Sequence, residues 1–257
     1  MSLLEISNIH FQIGGMSVLN GVDLSVQNDQ LVSLIGPNGA GKTALFNSIS
    51  GVYKPQQGSI RFNGEDILHL RPHHICRLGI ARTFQNVNLF NNMVVIDNIM
   101  LTRHRFIKGG LLKGGLFWCG GLKEEIRNRR KVEEIIEFLE IEAYRKKIVG
   151  NLPYGIQKRV ELGRALALEP KLLMLDEPVA GMNNEETEDI IRFIMDIRED
   201  MRISILLVEH DMRVVMDISD QIAVLDFGTK IADGPPEEIK QNKKVRAAYI
   251  GYQEDRV

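Results

Sequence analysis

The chain has 257 residues, 44% of them hydrophobic, with 32 Lys and Arg against 34 Asp and Glu and a net charge of −2. This excludes a disordered, fibrous or collagen-like chain, and the balanced charge lacks the wholesale basic field that draws a protein onto nucleic acid. The two cysteines, Cys76 and Cys119, are far apart and form no CxxC, so neither a zinc site nor a disulfide framework is read from them.

The N-terminal MSLLEISNIHF has an early glutamate, no basic lead and no long apolar run, so it does not read as a secretory signal. Apolar, β-branched runs follow at 31–35 (LVSLI), 172–175 (LLML), 203–208 (ISILLV) and 221–227 (QIAVLDF), all far short of the roughly 20 residues that a membrane helix needs. Their hydrophobicity is continuous rather than alternating, which predicts strands buried on both faces, as in a parallel sheet covered by helices. Helical spacing places Val132, Ile135, Ile136 and Leu139 on one face of a segment at 123–141, and Ile190, Ile191, Ile194 and Ile197 on one face at 184–199. The alternation of strands and helices predicts an α/β fold.

From 88 to 168 the pattern is helical with no central strand, so this stretch is read as a helical subdomain inserted into a core formed by 1–87 and 169–257. Within it, KGGLLKGGLFWCGG at 108–121 is read as a loop with a few buried anchors rather than a docking surface. The run RNRRK at 127–131 sits among glutamates and is read as a solvated face rather than a nucleic-acid patch.

The strongest chemical signal is GPNGAGKT at 36–43, which fits the phosphate-loop pattern GxxxxGK[ST] between a predicted strand and helix. Backbone N–H groups of Gly36, Asn38, Gly39, Ala40 and Gly41 suit an anion nest. Lys42 adds a point charge toward the β- and γ-phosphates, and Thr43 offers a hydroxyl to Mg²⁺. A second hydrophobic strand ends in Asp176 and Glu177: the first suits a water-mediated hold on Mg²⁺, the second a base for the water that attacks the γ-phosphate. His210, in VEHD, falls at the end of a third strand, and in parallel sheets that edge is where ligands bind. Its role there is a hydrogen bond to the γ-phosphate or the attacking water.

These residues resemble the ATP-binding subunits of ABC transporters over nearly the whole chain. Gln85 in RTFQN looks like the glutamine that senses Mg²⁺ and couples to the membrane subunit; LPYGIQKRVELGRALA at 152–167 looks like the signature motif and its helix; His210 matches the switch histidine. RTFQNVNLF, the extended apolar segment after Met100, LPYG in place of LSGG, EPVAGMN and the tail GPPEEIKQNKKVRAAYIG are similar to the branched-chain amino acid importer group. The resemblance implies a P-loop ABC cassette with a mainly parallel core sheet, an N-terminal antiparallel β subdomain and an inserted helical subdomain. It implies hydrolysis of ATP with Mg²⁺, membrane permease subunits, a second ABC ATPase and, indirectly, a periplasmic or extracellular substrate-binding protein as partners. Nucleic acid is not among them, and the location implied is the cytoplasmic face of the cell membrane. In such a pair Pro153, Tyr154 and Gly155 of one cassette face the nucleotide held by the other.

Four positions depart from the family pattern. Pro153 stands where a serine usually reaches the partner's γ-phosphate, and Ile156 replaces a polar residue. Ala44 replaces a second threonine at the α-phosphate, and Ile13 replaces the aromatic residue that stacks on adenine, leaving Phe11, or apolar contact from Ile13 and Val18. A GTPase is disfavoured because NKKV at 242–245 ends in valine where a guanine reader needs aspartate. A soluble ABC ATPase acting on DNA or ribosomes is disfavoured by the single cassette without sustained heptads. An exporter of lipid or lipopolysaccharide is a further alternative, and RTFQN with the extra segment at about 103–122 favours the importer over it.

Overall fold

A computed structural model describes residues 2–85, 87–106 and 121–254. Apart from Gly121, the Gly-rich stretch singled out at 108–121 lies outside the described residues, as does Cys119. In chain order the elements are β1 (Ser2–Ile13), β2 (Met16–Gln27), β3 (Leu31–Ile35), α1 (Lys42–Ile49), β4 (Gln57–Phe62), β5 (Glu65–Asp66), α2 (Pro72–Leu78), β6 (Ile80–Arg82), α3 (Val95–Arg103), α4 (Gly121–Phe138), α5 (Tyr154–Leu166), β7 (Leu172–Asp176), α6 (Asn184–Glu199), β8 (Ser204–Val208), α7 (Met212–Ile218), β9 (Gln221–Asp226), β10 (Thr229–Gly234), α8 (Pro236–Gln241) and α9 (Lys243–Glu254). They fall into two compact units: Met1–Arg82, Lys171–Glu177 and Ile191–Val257 form one, Thr83–Pro170 and Pro178–Ile190 the other.

The first unit holds two sheets. Six strands run in the order β10-β9-β3-β8-β7-β6, parallel from β9 to β6, with β10 antiparallel at one edge. The other sheet is antiparallel, in the order β2-β1-β4-β5. The continuous apolar runs are explained by burial on both faces. Along β3, Val32 and Leu34 join one core cluster with Leu45, Phe46 and Ile49 of α1 and with Leu4, Ile6 and Phe62 of the antiparallel sheet. Ile35 points the other way, into a cluster with Val215 of α7, Ile239 of α8 and Val245 of α9. Strand β9 repeats the alternation: Ala223 and Leu225 face the first cluster, Ile222 and Val224 the second.

In the second unit the helices carry buried apolar faces: Val95 and Ile99 on α3, Val132, Ile135 and Ile136 on α4, Val160 and Leu162 on α5. Gly163 lets them approach, because a Cβ there would lie 3.0 Å from Leu139 Cδ1 and 3.1 Å from Ile99 Cδ1. The start of α6 is closed by a reciprocal cap: Glu186 N–H donates to Asn183 Oδ1 (2.9 Å), and Asn183 N–H donates to Glu186 Oε2 (3.2 Å).

Candidate active site

The phosphate loop joins β3 to α1, and two of its glycines are demanded by space as well as by backbone angle. Gly36 has φ +150°, and a Cβ there would stand 2.1 Å from the Leu225 carbonyl oxygen. Gly41, at φ +101°, would push a Cβ to 2.9 Å from Leu19 Cδ2 and 3.0 Å from the Val18 carbonyl oxygen. Gly41 is also the cap of α1, with no side chain on the first-turn N–H groups and no acidic residue in that turn. The positive end of the helix is therefore left for an external anion.

The loop is fixed from behind. Gly228 N–H, in the turn between β9 and β10, donates to the Ala40 carbonyl (3.0 Å), and Asn20 N–H of β2 donates to the Gly228 carbonyl (2.7 Å). Asn38, Gly39 and Thr43 are exposed, whereas the Ala44 side chain is buried in the core cluster. Lys42 Nζ donates to the carbonyls of Gly36 (2.6 Å) and Pro37 (3.1 Å). Burial holds its ammonium below the ordinary lysine value of 10.5, and the charges of Glu177 and Asp176 pull in the opposite direction.

Parallel register brings the acids and the histidine to the same edge. Val208 of β8 is paired with Leu34 of β3 on one side and with Asp176 of β7 on the other, so the residues after each strand emerge together. Asp176 is buried and accepts from Arg82 Nη2 at 2.8 Å; Arg82 Nη1 also donates to Asn47 Oδ1 (2.7 Å) and Ser50 Oγ (3.1 Å). Glu177 has φ +50°, a left-handed conformation that is costly for a side chain with a Cβ, and its N–H is held by the Val208 carbonyl at 2.8 Å. Strain of this kind persists where the surroundings over-determine it, which points to function at Glu177. Its Oε1 lies 3.7 Å from Nδ1 of His210, whose side chain is 64% exposed.

Arg82 was not visible as a site residue in the sequence. It opens the RTFQN stretch that was read for Gln85, but it is 94 residues from Asp176, and only the adjacency of β6 and β7 brings the two together. The base-stacking candidates also divide. Phe11 is corrected: it is buried in the core, stacked on Tyr53 with centroids 4.8 Å apart, and has no face to offer adenine. Ile13 is 51% exposed at the end of β1, and Val18 lies half-buried with its carbonyl beside Gly41.

Gln85 and the signature segment belong to the second unit. Pro153, with φ −53° and ψ 150°, caps α5 and leaves its first turn without a side-chain hydrogen bond. Tyr154 is exposed, and Gly155 is buried beside Glu186. Charged side chains on α5 grip the backbone around Gln85. Lys158 Nζ donates to the Gln85 carbonyl (3.0 Å), Phe84 N–H donates to Glu161 Oε1 (3.4 Å), and Arg164 donates to the Asn88 carbonyl. Burial pushes the Glu161 carboxyl up, against the pull of Lys158, 3.7 Å away.

Among the described residues no cluster of three or more His, Cys, Asp or Glu side chains could hold a metal alone. The donor set, an exposed Thr43 hydroxyl and the Asp176 carboxylate, fits Mg²⁺ that takes its remaining oxygens from a nucleotide and water.

Comparison with known proteins agrees with this geometry. The family model for the ABC transporter matches residues 19–180, and the model for the branched-chain amino acid ATP-binding cassette transporter matches 229–255. The chain is 42% identical over 253 residues to the high-affinity branched-chain amino acid transport ATP-binding protein BraF of Pseudomonas aeruginosa, covering 97% of this chain and 98% of that protein. It is 39% identical over 249 residues to LivG of Escherichia coli K12, a protein of the same description, with 97% and 98% covered. It is also 32% identical over 253 residues to the lipopolysaccharide export system ATP-binding protein LptB of Haemophilus influenzae, with 98% and 99% covered. Among solved structures, the ADP conformation of MJ1267, an ATP-binding cassette of an ABC transporter, superposes with a TM-score of 0.84 at 31% identity, covering 98% of this chain and 99% of that one. The chain belongs to the ABC transporter ATP-binding family, in its branched-chain amino acid cassette group.

Proposed function

We propose that this chain is the ATP-hydrolysing subunit of an importer for branched-chain or other apolar amino acids, working as a peripheral protein on the cytoplasmic face of the membrane. The observation that carries the ATPase reading is the shared edge of the parallel sheet, where the phosphate loop, Asp176, Glu177 and His210 emerge side by side. The importer reading rests on the C-terminal match at 229–255 and on higher identity to BraF and LivG than to LptB. Among the described residues no helix is long and apolar enough to cross a membrane, so the membrane path is assigned to permease subunits.

In this reading the N–H groups of the phosphate loop and the first turn of α1 receive the phosphates, with Ile13 and Val18 beside the base. Lys42 exchanges the Gly36 and Pro37 carbonyls for phosphate oxygens, whose negative charge favours the ammonium form that burial disfavours. Thr43 and Asp176 are the residues of the first unit that would hold Mg²⁺, which when bound neutralises charge on the phosphoryl oxygens. Glu177 orients the attacking water and takes its proton, and His210 hydrogen-bonds the γ-phosphate or that water. A second cassette supplies the equivalents of Pro153, Tyr154 and Gly155, so each site is completed by the other chain, and a substrate-binding protein delivers cargo to the permeases. Tagging the chain in its host, solubilising the membranes gently and identifying what co-purifies by mass spectrometry tests this. Recovery of two polytopic permeases, a second cassette and a binding protein is expected; recovery with lipopolysaccharide export proteins, with ribosomes or with no membrane protein would overturn it.

A further inference from the structure

The second unit contains a basic concavity that nucleotide hydrolysis does not use. It is an open cavity of about 450 Å³ between the turn that follows α3 and the middle of α4, lined by five cationic side chains and two carboxylates, a surplus of three positive charges. One cation is built in. Arg103 is 3% exposed and its guanidinium is fixed: Nε and Nη2 donate to Asn128 Oδ1 (3.1 and 2.9 Å), and Nη1 donates to the Ala167 carbonyl (2.9 Å) and Glu169 Oε1 (2.7 Å). The Phe106 ring lies against the guanidinium groups of Arg103 (4.0 Å) and Arg105 (4.9 Å) and orients both.

The two carboxylates do not neutralise the cavity. Glu169 is paired with Arg103, and Glu134 with Lys131 at 3.2 Å. Arg127 and Arg130 are exposed, stand three residues apart and so share a face of α4, and form no ion pair among the described residues. Arginines held at one concave surface, rather than spread along a helix, suit a compact anion with several oxygens, because each guanidinium presents paired donors. The volume lies in the range of small-ligand sites, on a scale too short to track a polynucleotide backbone.

We propose that this cavity binds a phosphate-bearing anion, with Arg127 and Arg130 as the recognising side chains against a wall made rigid by Arg103 and Phe106. The phosphate belongs either to a soluble ligand or to the headgroup of an anionic phospholipid, and the test separates the two.

The experiment uses the full chain with a non-hydrolysable ATP analogue filling the phosphate loop, in two arms. Equilibrium dialysis measures binding of inorganic phosphate, and flotation measures binding to vesicles of phosphatidylglycerol against vesicles of phosphatidylcholine. Each is repeated with R127E/R130E and with the milder R127Q/R130Q, whose ATP turnover in solution should be unchanged because neither residue belongs to the hydrolytic site. Phosphate binding that weakens about tenfold or more in both variants, without vesicle preference, supports a soluble ligand. Flotation with phosphatidylglycerol alone, lost in both variants and competed by phosphate, supports a headgroup. Binding that is absent from the parent chain in both arms, or unchanged in R127E/R130E, overturns the proposal.

Discussion

At the scale of single residues, the site rests on side chains whose charges are held by particular partners. Arg82 and Asp176 form a buried pair at 2.8 Å, with both side chains less than a tenth exposed. Removing the cation takes from a buried carboxylate its guanidinium partner, so Arg82→Ala is expected to destabilise the fold by about 3–5 kcal/mol. A urea midpoint equal to that of the parent would contradict the structural importance of the pair. Lys42 yields a pH dependence whose sign follows from its depressed value. In the free site burial favours the neutral amine, whereas bound phosphate favours the ammonium, so nucleotide affinity is fully present below the free-site pKa and falls as pH rises through the window below 10.5. Over the same window the free protein gains stability, because there the unfolded chain binds the proton that the folded chain has lost. Nucleotide dissociation constants measured from neutrality to about pH 10 should rise, and a flat profile would contradict this role for Lys42. The contrast between Lys42 and Arg82 marks what sequence can tell at this scale. Lys42 sits in a motif whose spacing is its meaning, while Arg82 acquires its role only from a strand partner 94 residues away. Phe11 misled for a related reason: it is the aromatic near the position where Ile13 replaces the family's stacking residue, but the burial phase of β1 turns it inward.

At the scale of elements, legibility follows the regularity of the pattern. Strands β3, β7, β8 and β9 could be read because burial on both faces forces continuous apolar runs. Strand β1 could not be read from alternation, because its inward set changes phase, from Leu4 and Ile6 to Ile9 and Phe11, where the register shifts around Asn8 at φ +49°. Resemblance, not periodicity, supplied the antiparallel sheet. Helix α5 carries the element-scale prediction. Pro153 caps it with no side-chain acceptor, so Pro153→Ser offers a hydroxyl where none is present, either to the first-turn N–H groups or to nucleotide on a partner cassette. One such hydrogen bond is worth about 1 kcal/mol, which predicts roughly a fivefold rise in nucleotide-dependent dimerisation or in ATP turnover. No rise in either, by sedimentation and by phosphate release, would make Pro153 neutral. The grip of Lys158, Glu161 and Arg164 on the backbone at 84–88 was not legible, because buried charges on a helix become informative only when their backbone acceptors are known.

At the scale of the whole molecule, topology turns separate motifs into one site. The order β3-β8-β7, all parallel, is what carries Gly36, His210 and Glu177 to one edge from positions 36, 177 and 210 of the chain. Each motif could be found in the sequence, and their convergence was conditional on strands that had to be adjacent and parallel. Strand order is set by long-range packing that no local pattern records, which is why it needed the structure. The basic run at 127–131 illustrates the same limit. It reads in sequence as a solvated helix face, and only the turn after α3 encloses part of it in a cavity. Hydrolysis at the shared edge is tested most directly by Glu177→Gln, which keeps size and hydrogen bonding but removes the base. Steady-state phosphate release should fall by a factor of about 100 or more while ATP binding, measured on the same preparation, stays within about twofold of the parent. Turnover equal to the parent's would remove Glu177 from the reaction and contradict the assignment of this edge as the hydrolytic site.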